Sequence, residues 1–165
     1  MLYGGSKDIS LFQGLNEELV NKIIQTEVLY IRIDGSSTKA NIYGESINKI
    51  YLPAVKLASL IEYPDNEEDN NNFGIDIKQR IRVRILRQNL IDANLVAQIG
   101  EIIYYDNNYY EINAKEEVQF IMGKNPQFSI AGSTHGANWS VILSCNMIKK
   151  VSQGLIKTIE DSVFA

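Results

Sequence analysis

The chain has little of what staples a fold covalently or holds a metal. Its one cysteine, Cys145, cannot form an internal disulfide, which excludes a small disulfide-framed secreted scaffold and fits assembly in a reducing cytoplasm. The single histidine, His135, is a poor start for a metal site, where a second histidine or clustered cysteines are expected. No apolar run approaches the roughly 20 residues a membrane-spanning helix needs. Met1-Leu2-Tyr3-Gly4-Gly5 does not read as the basic and apolar start of a signal peptide. An excess of positive charge is also missing. The net charge of -4 argues against a general nucleic-acid binder, though local basic stripes remain open. Proline is scarce, while tyrosine and asparagine are plentiful. The Asn/Ile/Lys-rich flavour suggests an AT-rich genome.

What is present reads as one domain of 165 residues, large enough to bury a core. Residues 1–8 read as a glycine-rich arm with few apolar anchors. Asp8–Gln25 turns helical, with Asp8 as the expected N-cap and Ile9, Phe12, Leu15, Leu19 and Ile23 at helical steps. Gly14 weakens its middle, so two short helices are an alternative. Glu27–Asp34 reads as a strand, Thr38–Tyr43 as its return and Ile50–Leu52 as a short strand stopped by Pro53. Val55–Tyr63 fits a strand or a short helix.

Residues 64–73 read as an acidic, asparagine-rich loop carrying Asp65, Glu67, Glu68 and Asp69. It lacks the glycine and the terminal glutamate of an EF-hand, so a solvated or partner-facing loop is expected. Gly74–Leu86 is the clearest long strand. Ile75, Ile77, Ile81, Val83 and Ile85 alternate with Asp76, Lys78, Arg80, Arg82 and Arg84, and Gln79 marks a bulge. Asn89–Val96 reads as a short helical or extended connection.

Gly100–Ile112 reads as a β-hairpin: Ile102–Tyr105 and Tyr109–Ile112 around Asp106-Asn107-Asn108, residues that tolerate a left-handed backbone. Beyond an acidic turn at Lys115-Glu116-Glu117, strands are expected at Val118–Met122, Phe128–Ile130 and Trp139–Met147. Residues 132–138 read as a loop, and Val151–Phe164 as a C-terminal helix.

No catalytic constellation emerges. His135 has Ser133 and Cys145 near in sequence but no nucleophile–base pair at recognisable spacing, so it reads as a surface residue. Cys145 reads as a small buried hydrophobe. Gly4-Gly5-Ser6-Lys7 lacks the spacing of a phosphate loop. Neither a cofactor nor a metal is expected.

Arg80, Arg82 and Arg84 make a basic stripe on one strand face. The stripe is a solvated face, an ion-pairing surface for an acidic neighbour such as the Asp65–Asp69 loop of an adjacent copy, or a contact for passing DNA phosphate. The four hairpin tyrosines, Tyr104, Tyr105, Tyr109 and Tyr110, divide between its two faces. One pair is expected in the core and the other near the surface, where tyrosines suit an interface.

The run Asn72-Phe73-Gly74-Ile75, a strand through Ile85, Gly100-Glu101-Ile102-Ile103-Tyr104, Asn108-Tyr109-Tyr110-Glu111-Ile112, then Phe120 and Met122-Gly123, resembles the neck proteins of tailed bacteriophages of the contractile-tail type. Those proteins have the same order: an Asn-Phe-Gly lead-in, a Gly-Asp/Glu-Leu/Ile-Ile-Tyr strand, an aromatic-Glu-Ile/Val return and an aromatic-x-x-Gly ending. The resemblance covers roughly residues 24–126. It departs at Glu101, where aspartate is common, and after Asn125-Pro126.

It implies a mainly β subunit, an antiparallel β-barrel or sandwich with peripheral N- and C-terminal helices. It further implies a structural role without catalysis. Copies form a homo-oligomeric ring (dodecamer or hexamer) in the virion neck, between portal or adaptor ring and tail proteins. The genome passes through the lumen without sequence-specific binding, no membrane is involved, and assembly takes place in the host cytoplasm. A tail-terminator or other tail connector ring is the rival within the virion. A small-barrel enzyme or ligand-binding module using the His135 loop is the rival from another class. In the ring reading the arm and the 64–73 loop are latches, and Arg80, Arg82 and Arg84 form a lateral contact.

Overall fold

A computed structural model describes residues 6–38, 49–64, 67–71, 74–117, 139–149 and 153–163. Helix α1 (Ser6–Glu18) runs into a π-wound turn, Leu19–Ile24. The turn ends where Gln25 takes a left-handed backbone and its N–H donates to the Val20 carbonyl at 3.1 Å. The helix thus starts before Asp8, and Gly14 does not divide it. A single missing side chain costs a helix about 1 kcal/mol, too little to end one.

The strands are β1 (Glu27–Ile31), β2 (Val55–Glu62), β3 (Glu67–Asn71), β4 (Gly74–Lys78), β5 (Arg80–Leu86), β6 (Ile102–Tyr105), β7 (Asn108–Glu116) and β8 (Ser140–Met147). Helix α2 (Arg87–Asp92) follows β5, and α3 (Gln153–Val163) follows β8. Six strands close a wholly antiparallel barrel in the order β1-β2-β5-β8-β7-β6. Closure leaves those strands no free edge. The protein is therefore a mainly β, antiparallel barrel with helices at its N- and C-terminal regions.

Alternation fills the barrel. Val28 and Tyr30 of β1, Ile81, Val83 and Ile85 of β5, Ile103 of β6, Tyr110 and Ile112 of β7, and Leu143 and Cys145 of β8 share one cluster and are all but inaccessible. Leu90 of α2, with Leu95 and Ala97 after it, joins the same cluster. The β5–β6 connection thereby closes one end of the barrel. Its interior is a packed core of described side chains.

A second cluster lies outside the barrel wall. Leu155 and Ile159 of α3 pack on Ile31 of β1 and Ile102 of β6, with Leu29, Tyr104 and Tyr109 beside them. Both faces of β1 and β6 are thus covered, one by the core and one by α3.

Several expectations change. The segment read as an acidic loop pairs as a strand: β3 runs antiparallel to β4, with Glu67 opposite Lys78 and Asn71 opposite Gly74. Its polarity is no obstacle, because a two-stranded ribbon can solvate both faces. Gln79 divides the long strand into β4 and β5, since β5 pairs with β2 and β8 while β4 pairs with β3. The β2–β5 hairpin of the barrel therefore continues as a separate two-stranded ribbon. Where an acidic turn was expected at 115–117, β7 extends through Glu116. Ile50–Leu52 supplies only an isolated bridge, Tyr51 to Ile33.

Val55–Glu62 is a strand. The residues expected in strands at 118–122 and 128–130, in the loop at 132–138 with His135, and in the return strand at 39–43 lie outside the described residues, as do arm residues 1–5 and Asp65.

Candidate assembly surface

On β5, Ile81, Val83 and Ile85 turn inward and are fully buried, which puts Arg80, Arg82 and Arg84 on the outer wall. Pairing sets what lies beside them. Across β2, Arg82 is opposite Glu62 and Arg84 opposite Leu60. Across β8, Arg80, Arg82 and Arg84 face Asn146, Ser144 and Ile142. Glu62 makes its salt bridge diagonally, to Arg84 Nη2 at 3.3 Å. Both side chains are more than a third exposed, so this pair contributes about 0–1 kcal/mol. Arg82 is exposed and has no ionic partner among the described residues.

The wall is grooved here. The β7–β8 register shifts between Ile112 and Ala114, leaving Asn113 as the extra residue. Beside this bulge a cavity of about 340 Å³ opens between Arg80, Arg82, Asn113, Ser144, Asn146 and Pro64. Arg80, Arg82, Asn113, Ser144 and Asn146 give it cationic and hydrogen-bonding side chains, beside apolar Pro64, Ile81 and Cys145. A smaller cavity of about 140 Å³ separates α1 from α2, lined by Gln13, Glu17, Arg87, Ile91 and Trp139.

The hairpin tyrosines divide as alternation requires. Tyr105 and Tyr110 face the barrel core, Tyr110 fully buried. Tyr104 and Tyr109 lie on the outer wall, ring centroids 5.0 Å apart at 59°, packed into the cluster under α3. Holding α3 occupies much of that outer pair. The turn is tighter than expected, two residues and not three: Asp106 and Asn107 both have positive φ, 48° and 59°. This is the type I′ pattern, whose twist matches that of the strands. The Tyr104 hydroxyl donates to Asn107 Oδ1 at 3.0 Å, and Asn108 Nδ2 donates to the Asp106 carbonyl at 3.0 Å.

Of the acidic candidates, Glu67, Glu68 and Asp69 fall in β3, on the ribbon that continues the β2–β5 hairpin.

Two features escaped the sequence reading. One is a polar lock inside the barrel end, where Tyr30, Gln98 and Glu101 meet. The Tyr30 hydroxyl donates to Glu101 Oε2, and the Gln98 N–H donates to the same oxygen at 2.9 Å. Burial first, and then the Glu101 carboxyl, hold the Tyr30 hydroxyl far above its usual range. Only the buried exposure of a glutamate next to Gly100 marks this lock, and sequence does not show burial. The other is an exposed apolar face of α1 and its π turn, comprising Leu11, Phe12, Leu15, Leu19 and Ile23. Its helical spacing was legible, but not that the barrel leaves it open.

Cys145 is buried and its thiol is pushed up to about 12 by burial, an inert setting. Among the described residues no group of three or more His, Cys, Asp or Glu could hold a metal ion. No described helix is long and apolar enough to cross a membrane. The chain matches no protein-family model, and no curated protein sequence matches it.

Proposed function

We propose that this protein is a virion structural subunit of a tailed-phage neck, one copy in a connector ring that joins the portal region to the tail and seals the filled head. The observation that carries the reading is the order of segments shared with the neck proteins. Within that order, Gly74–Ile85 and Gly100–Ile112 supply β4, β5, β6 and most of β7. The fold is compatible with this role in a specific way. A barrel filled by its own side chains makes a rigid block, and the channel for DNA is then the space enclosed by the copies. A ribbon continuing from the β2–β5 hairpin gives each block an extension toward a neighbour. The role is assembly and not catalysis, and it needs neither cofactor nor metal.

Immunogold labelling of intact particles with antibody against this chain tests the location. Gold at the head–tail junction is expected. Gold confined to the tail tip or the capsid shell contradicts the proposal.

A further inference from the structure

Helix α1 turns its apolar side away from its own barrel. Leu11, Phe12, Leu15 and Leu19 fall within about 100° of the helix circumference, the width of a stripe that ordinarily faces a core. Ile23 of the π turn extends the stripe. All five are exposed, between 41% and 70%. The side toward the barrel is a different one. Val20 is the buried residue of the π turn, and Gln13 and Glu17 line the cavity against α2. No described side chain of α1 itself is buried. We propose that two copies of this chain pair through α1, antiparallel, with the two Leu15 side chains at the crossing point.

The area fits a second copy. At about 200 Å² for a fully exposed large side chain, the stripe presents about 500 Å². A standard interface buries about 800 Å² on each partner, and homodimer interfaces are about 65% apolar. The stripe therefore matches the apolar share of one whole side. It also matches the largest patch a monomer ordinarily leaves open. A helix of 13 residues is marginal without packing, so α1 gains from a partner where its own barrel gives it little.

Charge sets the direction. The charged positions run Lys7, Asp8, then Glu17, Glu18 and Lys22. Turned end for end about Leu15, the pair brings Leu11 level with Leu19 and Asp8 level with Lys22. A parallel pair sets like charge against like at every one of these positions, and sets the two helix dipoles side by side. The antiparallel contact uses the same surface on both copies, so it is isologous and closes at two. It needs none of the barrel wall and does not rest on the ring reading.

Disulfide trapping of the full-length chain in a Cys145→Ala background tests it. On mild oxidation Leu15→Cys is expected to give a covalent homodimer several-fold above the yield from Gln13→Cys, which faces α2 of its own copy. Leu11→Cys mixed with Leu19→Cys should cross-link several-fold more than either alone. Leu15→Glu should halve the sedimenting mass and leave the urea midpoint where it was, since Leu15 is half exposed.

Equal yields from Leu15→Cys and Gln13→Cys overturn the pair, as does an unchanged mass for Leu15→Glu. Leu11→Cys cross-linking best to itself overturns the antiparallel arrangement. A monomeric parent chain that binds phosphatidylglycerol vesicles, with binding lost in Leu15→Glu, overturns the pair in favour of a lipid surface. Gold at the neck without the α1 cross-link overturns the pair alone.

Discussion

Tyr30 and Glu101, 71 residues apart in sequence, share a hydrogen bond inside the barrel, and the backbone N–H of Gln98 completes the group. Tyr30 is at the inward face of β1, where its ring fills core. Glu101 immediately precedes β6, after Gly100 at φ 90° has turned the chain. The Gly100 N–H donates to the Ile112 carbonyl, and the Ile112 N–H donates to the Glu101 carbonyl. The lock therefore joins β1, the β5–β6 connection and the hairpin.

Tyr30→Phe keeps the ring but removes the donor from a buried carboxylate. Leaving a buried polar group short of a partner costs about 1–3 kcal/mol. Urea unfolding should show that loss as a lower midpoint at unchanged slope. A change of only a few tenths of a kcal/mol would mean the lock does not stabilise the fold.

Alkaline pH should weaken the fold through two buried groups. Tyr30 is held far above its ordinary 10.0 by burial and then by Glu101, so its contribution is whole below pH 10 and declines as pH rises beyond it. Cys145 is raised by burial from 9.0 to about 12, so its contribution is whole below pH 9 and is lost between 9 and about 12. The urea midpoint should fall from pH 9 to 11, and Cys145→Ala should flatten the first part of the fall. At pH 8 the native thiol should react with Ellman's reagent far more slowly than in urea. Rapid native labelling would contradict its burial.

The I′ turn makes opposite demands on two substitutions at Asn107, which has φ 59°. Asn107→Val should cost about 1–2 kcal/mol, the penalty of a β-branched residue in the left-handed region. Asn107→Gly relieves the backbone and loses only the bond from Tyr104, so it should cost less than valine. Thermal melts of the two variants decide. Equal losses would rule out the turn geometry.

Leu155 is fully buried against Ile31 and Ile102. Leu155→Ala should cost about 2–5 kcal/mol, the usual range for truncating a packed leucine. Hydrogen exchange should rise first in α3 and spare β5 and β8. Uniform loss of protection would mean α3 and the barrel unfold as one unit.

Arg82→Glu changes an exposed wall residue. Its effect on unfolding should stay within about 0.5 kcal/mol, as for most surface substitutions. Assembly into rings should fall. A fully assembled ring with this variant would remove the wall from the interface.

Strand β5 was legible because one face is buried and the other wet, so Ile81, Val83 and Ile85 alternate cleanly with arginines. The hairpin was legible from its aromatic and β-branched runs. Its turn length was not, because Asn108 is as much a turn residue as Asn107. Val55–Glu62 stayed ambiguous because Leu57 and Ser59 are both buried inside, so polarity does not mark the face. β3 was invisible because Glu67-Glu68-Asp69-Asn70-Asn71 has no apolar alternation to mark a strand. Of the candidate surface, the arginine stripe was legible and the groove was not. The groove depends on a register shift at Asn113 in a strand whose partner, β8, begins only at residue 140. The Tyr30–Glu101 lock was hidden by its sequence separation.

The central claim is that this chain completes the neck. Electron microscopy of particles assembled by the phage with this chain removed tests it most directly. The account predicts tail-less heads that lose their DNA, with free tails accumulating beside them, and recovery when the chain is supplied again. DNA-filled heads carrying tails at the normal frequency would contradict it.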